Sequence, residues 1–256
     1  MTEAVMTVTY RGRPLFMPPA ERVPGGLEAD PNYDPRFDNV RRDALSWQRW
    51  QKGRERTKMR RLDIGIASYG SPDLLAQTIR SVAEKSTCDW CLFIVCNQHP
   101  DQAVQSAVIA AIRTAIVNYG ERVKFIPEYS NTGYAGAVAR IQELAETEYI
   151  AYLDNDVLIQ THGWDETLCS YLDRFHEIGM IFPNGGAYPI SRDGYQEIQW
   201  GVGYCWVLSR YCQSMVGHFD ATIGHQNECD FCLRVRMAGW RCAAAPEVRV
   251  DHMATS

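Results

Sequence analysis

The chain has 256 residues, 46% hydrophobic and 22% charged, with a formal net charge of −5. That balance excludes a mostly disordered or collagen-like chain, and no stretch approaches the ~18 consecutive apolar residues of a membrane span. The N-terminus, MTEAVMTVTYRGRP, lacks the basic start and apolar core of a secretory signal, so the expectation is a cytoplasmic protein with no integral membrane association.

Charge divides the chain. Residues 1–61 carry 13 basic and 8 acidic side chains, a net of +5, and half of the twelve prolines fall before position 36. Residues 1–40 read as an extended Pro-rich arm. Residues 41–61, RRDALSWQRWQKGRERTKMRR, predict a short basic helix with Trp47 and Trp50 on adjacent turns. Such a segment is either a solvated face with two aromatic anchors or a polyanion-binding element. From residue 62 to 256 the net charge is −10 and the pattern becomes that of one folded domain.

Residues 62–67 (LDIGIA) read as a strand, followed by the turn cluster SYGSPD. Pro72 suits a first helical turn, and Leu75, Ile79 and Val82 recur at helical spacing. CLFIVC (91–96) is a continuous apolar strand, as expected where both sheet faces are covered. Residues 101–119 are an amphipathic helix, 123–126 a short strand, 133–146 a third helix, and YIAYL (149–153) a strand that ends at Asp154. Four strands alternating with three helices predict an α/β fold with a mostly parallel central sheet flanked by helices, whose ligands lie beyond the carboxyl ends of the strands.

Candidate chemistry is therefore judged by position. Asp154-Asn155-Asp156 follows a buried strand directly, and two carboxylates one residue apart can chelate a divalent cation. Acidic-x-acidic triplets are common by chance; Glu146/Glu148 closes a helix and reads as solvated. Glu228-x-Asp230 opens a probable helix ending at Gly239, where acidic residues either do chemistry or simply complement the helix dipole. Nine cysteines lie scattered in apolar runs and read as reduced thiols. The C-x-x-C pairs Cys88/Cys91 and Cys229/Cys232 leave a shared zinc site as the less favoured alternative.

From about residue 62 onward the chain resembles the family 2 glycosyltransferases with the GT-A fold. The resemblance rests on ordered motifs: LDIGIASYGSPDLLAQTIRSV, NTGYAGAVARIQELAETEYIAYLDND, GVGYCWVLSR with GHFDATIG, and NECDFCLRVRMAGW followed by His252. It implies that Asp156 binds Mn²⁺ or Mg²⁺ directly. Asp154 would assist through the metal shell or the donor ribose, with Asn155 beside them, and His252 would be a further ligand or else a surface histidine. Ser68 and Tyr69 would lie beside the nucleotide of a nucleotide-diphospho-sugar donor. Asn131, Gly133 and Arg140 would shape the diphosphate and ribose environment, Asn131 serving equally well as a helix cap. Trp200, Gly201 and Tyr204 would contact the acceptor or donor sugar, and Arg234 would pair with a carboxylate structurally.

Two departures stand out. Many members end the second strand with an aspartate that bonds the uracil of a UDP-sugar; this chain has Cys96 there, which cannot supply a charged acceptor. Either Asn97 substitutes or the base differs. Where the family usually shows Glu-Asp, this chain has Asn227-Glu228, so Glu228 is the expected base and Asp230 the runner-up. The implied reaction is metal-assisted glycosyl transfer to an acceptor hydroxyl with inversion. The acceptor stays open among a glycan, a protein, a small molecule, anionic cell-wall polymer and a hydroxylated nucleic-acid base. The alternatives are a nucleotidyltransferase, disfavoured because SYGSPD holds no basic residue, and a binding module that kept the fold and lost the chemistry. A dinucleotide-binding dehydrogenase is disfavoured because no G-x-G-x-x-G follows the first strand.

Overall fold

The computed structural model of the protein describes residues 8–10, 13–15, 61–223 and 226–253. In the first sixty residues these are two three-residue strands, β1 (Val8–Tyr10) and β2 (Arg13–Leu15), paired antiparallel. The rest of the expected arm lies outside the described residues. So does the basic helix, except Arg61, which opens a strand.

The domain then runs β3 (Arg61–Ser68), α1 (Pro72–Lys85), β4 (Asp89–Cys96), α2 (Gln102–Tyr119), β5 (Val123–Pro127), α3 (Gly133–Leu144) and β6 (Tyr149–Asp154). Next come β7 (Val157–Ile159), α4 (Trp164–Arg174), β8 (Ile178–Pro183), β9 (Gly186–Ala187), β10 (Ile190–Arg192), β11 (Tyr195–Ile198), β12 (Trp200–Gly201) and β13 (Cys205–Ser209). It closes with α5 (Arg210–Val216), α6 (Asn227–Met237), β14 (Arg241–Ala245) and β15 (Val250–His252).

Local chemistry sets the boundaries. Asp101 caps α2 by accepting the N–H groups of Ala103 at 2.7 Å and Val104 at 3.2 Å. The third helix stops at Leu144, two residues before the expected end. The cause is the buried Asp63 carboxylate of β3, which takes the N–H groups of Glu146 at 2.7 Å and Thr147 at 3.0 Å and turns the chain into β6.

Nine strands form one mixed sheet in the order β10-β11-β14-β8-β13-β6-β3-β4-β5. Only β11 and β13 run against the other seven, so the sheet is mostly parallel. Leu62, Ile64 and Ile66 of β3 face one core, with Leu75 of α1 and Val108 and Ile112 of α2. The other face packs against Ala137, Val138 and Ile141 of α3 and Phe231 of α6. Gly65 sits where α3 comes closest: a β-carbon there would lie 2.3 Å from an Ile141 methyl.

The chain steps outward from β3 to β4 and β5, then returns to the far side of β3 as β6. The strand order therefore reverses between β3 and β6, and the crevice lies beyond Ser68 and Asp154, with Ala67 and Asp154 register partners.

All nine cysteines are unpaired. Cys88 lies in the core of α1 and α2, its thiol 3.4 Å from Glu166, while Cys232 lies in the core under α3 and α6. The two C-x-x-C pairs do not converge, which removes the shared zinc site.

Candidate active site at the carboxyl ends of the strands

Asp154 is the last residue of β6, and Asp156 lies across a tight turn from it at the entrance to β7. The third member arrives from the far end of the sequence. β15 pairs antiparallel with β7, so His252 stands opposite Val157, and Met253 N–H donates to the Asp156 carbonyl at 2.8 Å. His252 Nε2 is then 3.2 Å from Asp156 Oδ1 and 3.7 Å from Asp154 Oδ2. One ligand atom from each of the three lies within 4.8 Å of the others, the one such group of three metal-ligating side chains found among the described residues. Two carboxylates and an imidazole on one side of a crevice suit a hard divalent cation, with positions left open for other oxygens. His252, read from sequence as either a ligand or a surface residue, joins the carboxylates.

Asp154 is partly buried beside like charge. Burial pushes its carboxyl up to about 6; the Tyr152 hydroxyl, donating at 2.7 Å, opposes this, Asp156 adds to it, His252 opposes it and Glu228 adds to it. Tyr152 and Asp154 share one face of β6, two residues apart. Burial, then the charge of Asp154, holds the Tyr152 and Tyr134 hydroxyls protonated.

Glu228 sits in the first turn of α6, partly buried. Its carboxyl group lies against Gly203: a β-carbon on Gly203 would be 3.4 Å from Glu228 Cδ and 3.1 Å from the Tyr134 hydroxyl. Tyr134, from the first turn of α3, donates to the Gly203 carbonyl at 3.2 Å and accepts the Trp206 indole N–H at 3.4 Å. The Glu228 charge acts on the Asp154 carboxyl, and a side chain at 203 would press on the Tyr134 hydroxyl and touch Glu228. Asp230 is employed elsewhere. Its carboxylate holds Arg234 at 2.9 Å, and Arg234 also donates to the carbonyls of Val216 and His218. The structural pairing expected for Arg234 is what the structure contains.

The remaining predicted residues divide into a group at the loops after β3, β4 and β5 and an outer wall. Asn155 donates to the Gly70 carbonyl at 3.2 Å, tying the aspartate turn to the loop after β3. Ser68 is fully buried with its hydroxyl unpartnered, and Tyr69 is half-exposed beside His99. Asn97 is buried and uses its carbonyl oxygen to hold the Thr132 N–H and hydroxyl, while Asn131 accepts the Gly133 N–H at 2.9 Å. Both side chains shape the start of α3. The Cys96 thiol is buried, pushed up by loss of solvent, and contacts Gln105. Arg140 is turned to Glu143 at 2.9 Å and Glu128 at 4.0 Å.

On the wall, Trp200 packs edge-on against the half-exposed Tyr188, with Val202 exposed alongside. Gly201 lies flat on the Phe182 ring, where no β-carbon would fit. Tyr204 stacks on His252, with ring centroids 4.9 Å apart. Sequence reasoning missed Tyr134, Tyr152, Asn184 and Tyr188. The two-residue strand period could have found Tyr152. Asn184 carried only an Asn-Gly turn signal, and nothing distinguished Tyr134 or Tyr188.

Among the described residues no helix is long and apolar enough to cross a membrane. A family model described as "Glycosyl transferase family 2" matches residues 63–221. The chain is 27% identical over 126 residues to a teichoic acid poly(glycerol phosphate) polymerase of Staphylococcus epidermidis, covering 49% of this chain and 16% of that protein. Among solved structures it is similar to mannosyltransferase PcManGT from Pyrobaculum calidifontis in complex with GDP-Man and Mn²⁺ (TM-score 0.62, 15% identity, 83% of this chain and 65% of that one). It is also similar to GalNAc-T7 with UDP, GalNAc and Mn²⁺ (0.65, 13%, 77% and 44%) and to S. aureus TarS (0.58, 12%, 74% and 36%). The chain thus spans only part of each protein it matches. The fold is GT-A.

Proposed function

The chain belongs to glycosyl transferase family 2, and we propose that it is a metal-dependent glycosyltransferase that moves a sugar from a nucleotide-diphospho-sugar to an acceptor hydroxyl with inversion. The observation that carries this reading is the meeting of Asp154, Asp156 and His252 at the strand-order reversal, with the charge of Glu228 on α6 close enough to act on Asp154.

Asp156, Asp154 and His252 would hold Mn²⁺ or Mg²⁺. A divalent cation there supplies positive charge for the diphosphate as the glycosidic bond breaks. Tyr152 fixes the rotation of Asp154, and Asn155 ties the same turn to the loop at Ser68 and Tyr69, on the donor side. Glu228 accepts the proton of the acceptor hydroxyl as the oxygen attacks the anomeric carbon from the face opposite the diphosphate. Tyr134 and Gly203 fix where the Glu228 carboxylate rests. The Trp200, Tyr188 and Val202 surface beside Gly203 is the acceptor wall.

The acceptor proposed is polyanionic. The net charge of +5 over residues 1–61 supports this, and so does the poly(glycerol phosphate) in the name of the Staphylococcus relative. Binding through Lys and Arg to phosphates would fall steeply with salt.

The test is calorimetric titration of UDP-, GDP- and dTDP-sugars with and without Mn²⁺, repeated on Asp156→Ala. One donor should bind only with metal and lose binding in the variant; absence of metal-dependent binding by every donor would refute the reading. Release of nucleoside diphosphate with poly(glycerol phosphate) or with hydroxymethylated DNA then tests the acceptor class.

A further inference from the structure

Asn184 has no part in the chemistry above, yet its contacts lead to the metal ligands. It follows β8 with φ of 60°, a left-handed conformation that asparagine adopts more readily than most residues. Its backbone N–H donates to the Val248 carbonyl at 3.2 Å. Its side chain treats Val250 as a sheet neighbour would. Oδ1 accepts the Val250 N–H at 3.2 Å, and Nδ2 donates to the Val250 carbonyl at 2.5 Å. The same amide donates to the Tyr204 hydroxyl at 2.5 Å. Val250 opens the strand that carries His252, and Tyr204 is the ring on which the His252 imidazole lies, with 19° between the planes.

β15 has three residues and, among the described residues, pairs only with β7, outside the central sheet. A two-stranded ribbon of that length is marginal alone. Asn184, at the end of a buried central strand, ties it to the frame. An aspartate would lack the donors, and a glycine would keep the backbone angle and lose the clamp.

We infer that Asn184 is a positioning residue for His252: it fixes the strand and the ring that aim the imidazole at Asp154 and Asp156, and so sets the affinity of the site for a divalent cation. This rests on the metal reading of that cluster proposed above.

The experiment is calorimetric titration of Mn²⁺ into the metal-free full chain without donor. The proteins compared are wild type, Asn184→Gly, His252→Ala and the double variant, with melting temperatures recorded in EDTA. Loss of groups that orient a ligand typically weakens metal binding 10–100-fold, so Asn184→Gly should raise the Mn²⁺ Kd at least about tenfold. In the His252→Ala background the same change should have no further effect, because the imidazole it positions is gone. Tyr204→Leu, which removes the stacked ring, should reproduce the loss and carries the test if the glycine variant does not fold. Wild-type affinity in Asn184→Gly or in Tyr204→Leu would overturn the inference. An equal loss in the His252→Ala background would also overturn it, by assigning the effect to general loosening. Failure of the wild type to bind Mn²⁺ would instead refute the metal reading itself.

Discussion

Two carboxylates two positions apart in the first turn of α6 compete for the role of base, and the structure separates them by what surrounds each. Glu228→Gln keeps the shape of the side chain and removes its ability to take a proton. A positioned general base contributes about 10²–10⁴-fold, so kcat should fall by that factor, about 2.7–5.5 kcal/mol of barrier. The fold should not suffer, because the lost charge lies near Asp154 and opposes it. Asp230→Asn acts on the ion pair. The Asp230 carboxylate side chain is 8% exposed and that of Arg234 is 21% exposed, and the same guanidinium holds the carbonyls of Val216, at the end of α5, and of His218 in the loop before α6. Removing one partner of so sheltered a pair costs about 2–3 kcal/mol, or about 4–12 °C of melting temperature for a domain this size, with kcat changed only a few-fold. The assay is nucleoside-diphosphate release at saturating donor, paired with thermal melts of the same preparations. A Glu228→Gln enzyme retaining more than a tenth of wild-type kcat, or an Asp230→Asn enzyme that melts like wild type and turns over nothing, would refute the assignment.

Asp154→Asn should stabilise the metal-free protein at pH 7.5 and do little at pH 4. The native carboxyl binds its proton more tightly than the unfolded one, so stability present below about pH 4 is lost as pH rises through about 6; an equal gain at both pH values in thermal melts would contradict this. Trp200→Ala should raise the acceptor KM about tenfold or more while leaving donor affinity unchanged in the titration, since Trp200 packs on Tyr188 in the proposed acceptor wall; a shift in donor affinity alone would move Trp200 to the donor side. Gly65→Ala should cost about 1–3 kcal/mol by overpacking against Ile141. Chemical denaturation of Gly65→Ala with Ile141→Ala should then show less than the sum of the two losses.

The first half of the domain was legible because each strand there is followed by a helix with its own period, and the apolar run at 91–96 could only be a strand covered on both sides. From 157 to 209 the sequence announced far less. Those strands are two to six residues long, and apart from the β10–β11 hairpin and the β9–β12 pair their partners lie tens of positions away, as when β14 pairs β8 in parallel. Strand pairing of that kind leaves no local period. The same distinction governs the site. Asp154 and Asp156 could be read because they end a buried strand, whereas the seat of His252 is made by β7, Tyr204 and Asn184, none of them near it in sequence.

The proposed metal ligands and the proposed base therefore hang on different frames. Asp154, Asp156 and His252 are fixed by the turn after β6, the β7–β15 ribbon and the Asn184 clamp. Glu228 is fixed by α6 and by the close approach of Gly203 and Tyr134. The Tyr204 backbone links the two, since its carbonyl accepts the Asp154 N–H at 2.9 Å while its ring stacks on His252 and its chain neighbour Gly203 touches Glu228. Damage confined to one frame should then show in one observable, donor and metal affinity for the first and turnover for the second. Changes at Tyr204, whose carbonyl and ring serve the first frame and whose chain neighbour touches the second, should move both together. Gly203→Ala is the sharpest case for the second frame alone: its β-carbon would press on the Tyr134 hydroxyl at 3.1 Å and touch the Glu228 carboxylate at 3.4 Å, so turnover should fall while metal affinity stays at the wild-type value.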